Sequence, residues 1–238
     1  MPHLTSKPLP LETVLLCLTA ATGVIDAVCY LGMGHVLVAN MTGNIVFLGF
    51  ALAGAKGFSV PSFLVALASF LVGATVGGRL GRVLSRQRRR WLTTTSVIQA
   101  ALAVVAVLAV AAGLLGPTGT VRLWVIALLG AGTGLQNATM RKLAIPDLTT
   151  SVLTMTVTGI AADSTLAGGD HPRRVRRVES VVAMLIGALV GAALIVHVGF
   201  TTTLGVLAGV LTLVALGFAI VPDEQSEVQE IKSPQPTH

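Results

Sequence analysis

The chain has 238 residues, 53% of them hydrophobic and 11% charged, and a formal net charge of +6. A soluble domain carries about 25% charged residues, and a chain this short cannot bury its long apolar blocks on all sides, so a soluble globular protein is excluded. The positive charge sits in two short runs between apolar blocks, Arg86, Arg88, Arg89, Arg90 and Arg173, Arg174, Arg176, Arg177. With no aromatic interleaving and no soluble module, that pattern argues against nucleic acid and for the cytoplasmic loops of a membrane protein.

Residues 1–10, with Pro2, Pro8 and Pro10, read as a loose tail. Apolar blocks follow at 11–33, 36–55, 60–84, 92–115, 121–142, 148–168, 178–198 and 202–221, each near the roughly 20 residues that span hydrocarbon as a helix. The acidic, Pro/Gln/Ser-rich stretch 222–238 reads as disordered. One membrane domain, 11–221, is therefore expected between two tails. The first block is too long for a leader h-region and lacks a small-residue cleavage site, so no cleavable leader is expected. Cys17 and Cys29, both in this block, lie more than three helical turns apart and read as packing residues.

Asp26 lies deep in the first block, where an unpaired carboxylate costs several kcal/mol. It reads either as a proton- or cation-coupling group, or as a carboxyl that caps the interrupted block beside it or bonds Asn137. The second block is broken by "ANMTGN", which holds Asn40, Thr42, Gly43 and Asn44, and is preceded by His35. The third carries a G-x-x-x-G pair, Gly73 and Gly77, and the seventh another, Gly187 and Gly191. Such pairs let helices approach closely, within the protomer or between copies in a homo-oligomer. The fifth block carries Gln136 and Asn137 and ends at Arg141 and Lys142. The sixth is rich in hydroxyls, Thr149, Thr150, Ser151, Thr154 and Thr156, and closes on Asp163. His35, Arg141 and Asp163 are candidates for gating or charge pairing, with Asp163 close enough to the Arg173 run to be a loop partner.

The two halves repeat. "TGVIDA" (22–27) matches "TGLQNA" (133–138), "MTGNIVFLG" (41–49) matches "LTMTVTGIA" (153–161), and "LVGATVGGR" (71–79) matches "LIGALVGAA" (185–193). The order is kept, and the offset runs only from 111 to 114. Repeat one is 11–115 and repeat two 121–221. Equivalent loops carry opposite charge bias: "RQRRR" follows block three, whereas its counterpart after block seven, "HVGFTTT", has no fixed charge. The Arg173–Arg177 run precedes block seven, whereas its counterpart holds only Lys56. Reversed bias is the mark of halves that sit upside down relative to each other, as in secondary transporters.

Eight full crossings would put the two arginine runs on opposite faces. Two incomplete blocks, the second and sixth, bring every basic run to the cytoplasm. The expected fold is an all-α polytopic membrane protein with six full transmembrane helices, two interrupted or re-entrant helices and an inverted 3+3 (four-segment) repeat. Both termini are then cytoplasmic. Irregular backbone at membrane depth survives only when buried in protein or lining water, and short helices starting there aim positive ends at the midplane. That points to a small-solute or ion transporter or channel-like protein. Its site would be lined by Asp26, Asn40, Thr42, Gly43, Asn44, Gln136, Asn137, Thr154 and Thr156. A membrane scaffold or partner subunit, with these groups serving as polar helix contacts, is the alternative. The expected partners are the lipid bilayer and a small polar solute or ion. His35 and His197 are single, and no nucleophile elbow, H-E-x-x-H or phosphate loop occurs, so no enzyme, catalytic residue, metal or cofactor is assigned.

"TGVIDAVCYLGMGHVLVANMTGNIVFLG" and "GTGLQNATMRKLAIPDLTTSVLTMTVTGIAAD" resemble the two signature stretches of the YoaK family of bacterial membrane proteins, whose function is unknown. The likeness covers nearly the whole chain between the tails. It implies an integral protein of the bacterial inner membrane and no reaction. Met155 departs from the family pattern, in which the resemblance implies Gly after Thr154.

Overall fold

A computed structural model describes residues 11–84, 87–114, 119, 122–143, 153–163 and 174–220. Among the described residues the regular structure is helical: α1 (Leu11–Gly32), α2 (Met41–Leu52), α3 (Val60–Val83), α4 (Arg88–Ala111), α5 (Arg122–Lys142), α6 (Leu153–Ala162), α7 (Arg174–His197) and α8 (Phe200–Ile220). Each helix occupies one of the apolar blocks. The starts of α4 and α7 take in arginines placed outside those blocks, because arginine is a good helix former whose aliphatic stem tolerates apolar surroundings. Both tails, Arg86, Arg173, Thr149, Thr150 and Ser151 lie outside the described residues.

Among the described residues, α1, α3, α4, α7 and α8 are long and apolar enough to cross a membrane. Helix α5 has 21 residues, but Thr133, Gln136, Asn137, Arg141 and Lys142 lower its hydropathy. The first three of these are buried within the protein. With 12 and 10 residues, α2 and α6 reach about 18 and 15 Å, well short of the roughly 30 Å of a hydrocarbon core.

Local chemistry sets the helix ends. Asn40 caps α2, its side-chain oxygen accepting the Gly43 N–H at 3.4 Å. Ser59 precedes α3, with a proline in the first turn where its missing N–H costs nothing. Between α7 and α8, Gly199 at φ +94° makes the sharp turn and donates its N–H to Leu194 O.

Glycine seams set the helix directions. Gly23 faces the backbone of Met184 and Ala188, Gly187 faces Ala20, and Gly191 faces Val24 and Ala27, so α1 and α7 run parallel. Gly134 faces Phe70 and Ala74, Gly73 faces Ala131, and Gly77 faces Leu135 and Ala138, so α3 and α5 also run parallel. At most of these positions a Cβ would land on backbone atoms of the facing helix. The seams therefore lie inside the chain. The expectation that the Gly73/Gly77 or Gly187/Gly191 faces join two copies is corrected: this chain's own α5 and α1 already occupy them.

Helix α8 runs antiparallel to α1, with Gly217 on Val14 and Gly32 on Phe200. Helix α4 runs antiparallel to α5, with Thr95 on Thr139 and Gln99 on Gln136. Three ties then gather one end of the bundle. Arg176 meets Glu12 at 3.5 Å, Lys142 Nζ donates to Gly78 O at 2.7 Å, and Arg89 donates to Ala219 O. That end collects Arg82, Arg88–Arg90, Arg141, Lys142, Arg176 and Arg177. The opposite end has Lys56 and Arg122 among the described residues.

Buried apolar residues of α1, the 33–38 segment, α3, α4, α5 and α8 form one core cluster. Leu71 and Val72 of α3, Leu185 and Leu189 of α7 and Leu213 of α8 point outward. Apolar exposure on this scale is a liability in water and suits contact with lipid. The protein is a polytopic helical membrane protein.

Candidate functional site

After α1 the chain doubles back. Gly34 (φ +84°) and His35 (φ +65°) turn it through left-handed conformations, and the His35 N–H closes on Tyr30 O at 3.0 Å. Residues 36–40 are not helical, and Val36 and Val38 are fully buried. Extended backbone inside a membrane protein must find partners for its N–H and C=O groups. Here three side chains from three helices supply them. Asn44 of α2 accepts the Leu37 N–H at 2.9 Å and donates its own amide N–H to Leu37 O. Thr133 of α5 donates to Val38 O at 2.7 Å. Asp26 of α1 accepts the Ala39 N–H at 3.0 Å. Four polar groups of the 37–39 backbone are thereby served by an amide, a hydroxyl and a carboxylate.

Next to this anchor runs a second polar track. Gln99 of α4 donates to Gln136 of α5 at 2.6 Å, Gln136 donates to Thr22 of α1 at 3.1 Å, and Thr22 donates to Leu18 O at 2.9 Å. Thr95 and Thr139 pair at 3.1 Å one turn further along. The two tracks meet at α5, where Thr133 serves Val38 while its own carbonyl accepts the Asn137 amide at 3.0 Å. Among the described residues, Asp26 is the one acidic or basic side chain in the buried set, at 7% exposure. Proton binding or charge pairing with a cation in this cluster therefore falls to Asp26, while the amides and hydroxyls can only donate and accept hydrogen bonds.

Of the residues singled out from sequence, Asp26 and Asn44 converge on the 37–39 backbone, and Gln136 and Asn137 lie on the adjoining helix. Asp26 and Asn137 have separate partners, Ala39 N–H and Thr133 O, so the carboxyl bonds the backbone just ahead of the α2 cap Asn40, and no Asp26–Asn137 bond forms. Asn40 and Thr42 are exposed at the start of α2, and Gly43 is half-buried against Leu37. Thr154 is exposed and Thr156 buried on α6, which packs chiefly on α7. Met155 sits on the exposed face of α6, at 65% exposure, so its helical backbone needs no glycine there. Asp163 pairs with Arg177 at 2.5 Å, and Arg177 also donates to Gly159 O, which ties α6 to α7. His35 meets Tyr30 edge to face and Phe58 at a tilt in an aromatic cluster centred on Phe47, and Arg141 is exposed at the end of α5.

Thr133, Thr22 and Gln99 were not singled out as site residues. The signal for the first two lay in the repeat itself, which begins with Thr in both halves. Gln99 carried one too, as a lone amide in an apolar block, a residue that buries only with a partner.

Comparison with known proteins adds a family and no activity. A family model described as "Protein of unknown function (DUF1275)" matches residues 14–217. The UPF0700 transmembrane protein YoaK of Bacillus subtilis (strain 168) is 36% identical over 151 residues, which is 63% of this chain and 64% of that protein. The chain thus spans just under two thirds of the length of this curated relative. No solved structure matches.

Proposed function

This chain belongs to the DUF1275 family of proteins of unknown function, and on that premise we propose that it is a small-solute or ion transporter or channel-like protein of the bacterial inner membrane. Its site is the polar cluster around Asp26, beside the broken backbone that leads into α2. The observation that carries the proposal is the non-helical 36–40 segment held at the level of mid-α1 by Asp26, Thr133 and Asn44. Interrupted helices ringed by polar groups at such depth are how many transporters build a binding site.

The proposed architecture is an inverted 3+3 repeat, 11–115 against 121–221, with α2 and α6 as re-entrant arms. Three observations support it. Equivalent residues make equivalent contacts: Gly23 and Gly134, Gly73 and Gly187, and Gly77 and Gly191 face each other's counterparts. Equivalent helices run in opposite directions: α1 opposes α8, the start of α4 meets the end of α8 through Arg89 and Ala219, and α4 opposes α5, so α1 and α5 are antiparallel. The turn after α2 brings Phe58 back to His35, which follows α1, so the arm leaves by the face it entered. The gathering of basic side chains at one end supports cytoplasmic termini.

The alternative is a non-transporting scaffold or partner subunit. It is favoured by one observation: the Asp26 carboxylate already has a backbone partner at 3.0 Å. Asp26→Asn separates the two readings, because an amide oxygen still accepts the Ala39 N–H. Purified protein would be placed in liposomes loaded with a pH-sensitive dye and challenged with proton, sodium, potassium and chloride gradients. Transport requires flux by the wild type that Asp26→Asn abolishes or uncouples in a folded protein. No flux in either protein, with a change in melting temperature alone, would select the scaffold.

A further inference from the structure

At the basic end of the bundle, away from Asp26, a cavity of about 500 Å³ opens between the end of α3, the start of α4 and the end of α8. It is lined by Leu84, Arg89, Arg90, Thr93, Thr94 and Ala219. The register of α4 explains the chemistry. Arg89 and Thr93, and Arg90 and Thr94, are four residues apart, so one helix face stacks two guanidiniums over two hydroxyls. This face belongs to the first turns of α4, whose cap residue Gln87 makes no side-chain bond to the free N–H groups there.

The donors in this cavity are left in excess. Arg89 uses one nitrogen on Ala219 O, and Arg90 uses one on Gln87 Oε1 at 2.9 Å. Among the described residues no carboxylate pairs with either arginine. Thr93 gives a second, independent sign. Its hydroxyl is buried and has no hydrogen-bond partner, whereas Thr19, Thr22, Thr139, Thr203 and Thr212 all donate to the carbonyl four residues back. A buried hydroxyl left without a partner marks a place where something else supplies the bond.

We propose that this cavity binds a phosphate group, with Arg89 and Arg90 pairing its charge and Thr93 and Thr94 donating to its oxygens. Arginine guanidiniums recognise phosphate through paired N–H donors, and a helix start adds free N–H groups with a positive field. The cavity exceeds the needs of a bare phosphate, and Leu84 and Ala219 give it an apolar wall. The phosphate can therefore come from an anionic phospholipid headgroup or from free phosphate, and the test separates these sources.

The full-length protein would be purified, reconstituted in nanodiscs of phosphatidylglycerol or of phosphatidylcholine, released into mild detergent and examined by native mass spectrometry for retained lipid. Thermal unfolding would be followed in parallel with inorganic phosphate. Wild type should retain phosphatidylglycerol. The Arg89→Gln/Arg90→Gln variant should retain about 30-fold less, the factor expected for two interfacial basic charges. Thr93→Val, which keeps side-chain volume, should weaken retention several-fold and serves where the double variant fails to fold. Lipid retention lost in the variants identifies the headgroup. Stabilisation of the wild type by inorganic phosphate, absent in the variants and without lipid selectivity, identifies free phosphate. Equal behaviour of wild type and variants toward both probes overturns the site.

Discussion

The seam glycines give the most direct test of how the helices meet. An alanine Cβ at Gly77 would lie 2.7 Å from Leu135 O, 3.0 Å from Ala138 Cβ and 3.2 Å from Leu135 Cα. At the equivalent Gly191 it would lie 2.9 Å from both Ala27 Cβ and Val24 Cα. Ordinary contact begins near 3.4 Å, so each helix pair must part by half an ångström or more. The atoms in the way are backbone or backbone-fixed Cβ, which no rotamer change can move. Such overpacking costs about 1–3 kcal/mol. The substitution also gains helix propensity, about 1 kcal/mol, and Gly78→Ala on α3 isolates that gain because a Cβ there meets nothing within 4 Å. Unfolding of Gly77→Ala, Gly191→Ala and Gly78→Ala would be titrated with sodium dodecyl sulfate in mixed micelles. Both seam variants should fall about 1–3 kcal/mol below Gly78→Ala. If all three behave alike, the helices do not approach as described. If only one seam variant falls, the two seams are not equivalent and the repeat reading fails.

The anchor of the broken backbone should respond residue by residue. Thr133→Val leaves Val38 O without its donor and Asn44→Ala leaves both Leu37 groups bare, at about 1–3 kcal/mol for each buried group left unsatisfied. Hydrogen exchange at the Leu37 amide should accelerate in Asn44→Ala while amides in the middle of α8 stay protected. Unchanged exchange at Leu37 would show that Asn44 does not hold this segment. For topology, single cysteines at Lys56 and Arg174 should label from opposite sides of the membrane in a background lacking the exposed Cys17. Labelling of both from the same side would rule out the inverted arrangement.

Much of the architecture could be read before any coordinates. Length and hydropathy located every helix, because a segment in lipid must satisfy its own backbone and so declares itself as an apolar run. An interruption near Asn40–Asn44 was legible for the converse reason, since polar groups in such a run demand partners, although the non-helical stretch is 36–40 and residues 41–44 open α2. The matched stretches of the two halves and the opposite charge of their loops were legible because both lie in the residue order itself, at an offset of 111 to 114.

The identity of those partners was not legible. Asp26 and Ala39 are thirteen positions apart, and Val38 and Thr133 ninety-five, and nothing local to either residue announces the other. Sequence left the glycine pairs free to serve an interface between copies or one within the chain. Only the fold decided for the second, by setting Ala20 and Ala131 backbone against Gly187 and Gly73. The sequence by itself determined a helical membrane protein with a lone deep carboxylate, because burial in lipid penalises each polar residue one by one. What that carboxylate touches was decided by tertiary structure alone, because hydrogen-bond partners are fixed by which helices lie side by side, a property of the folded bundle that no single segment encodes.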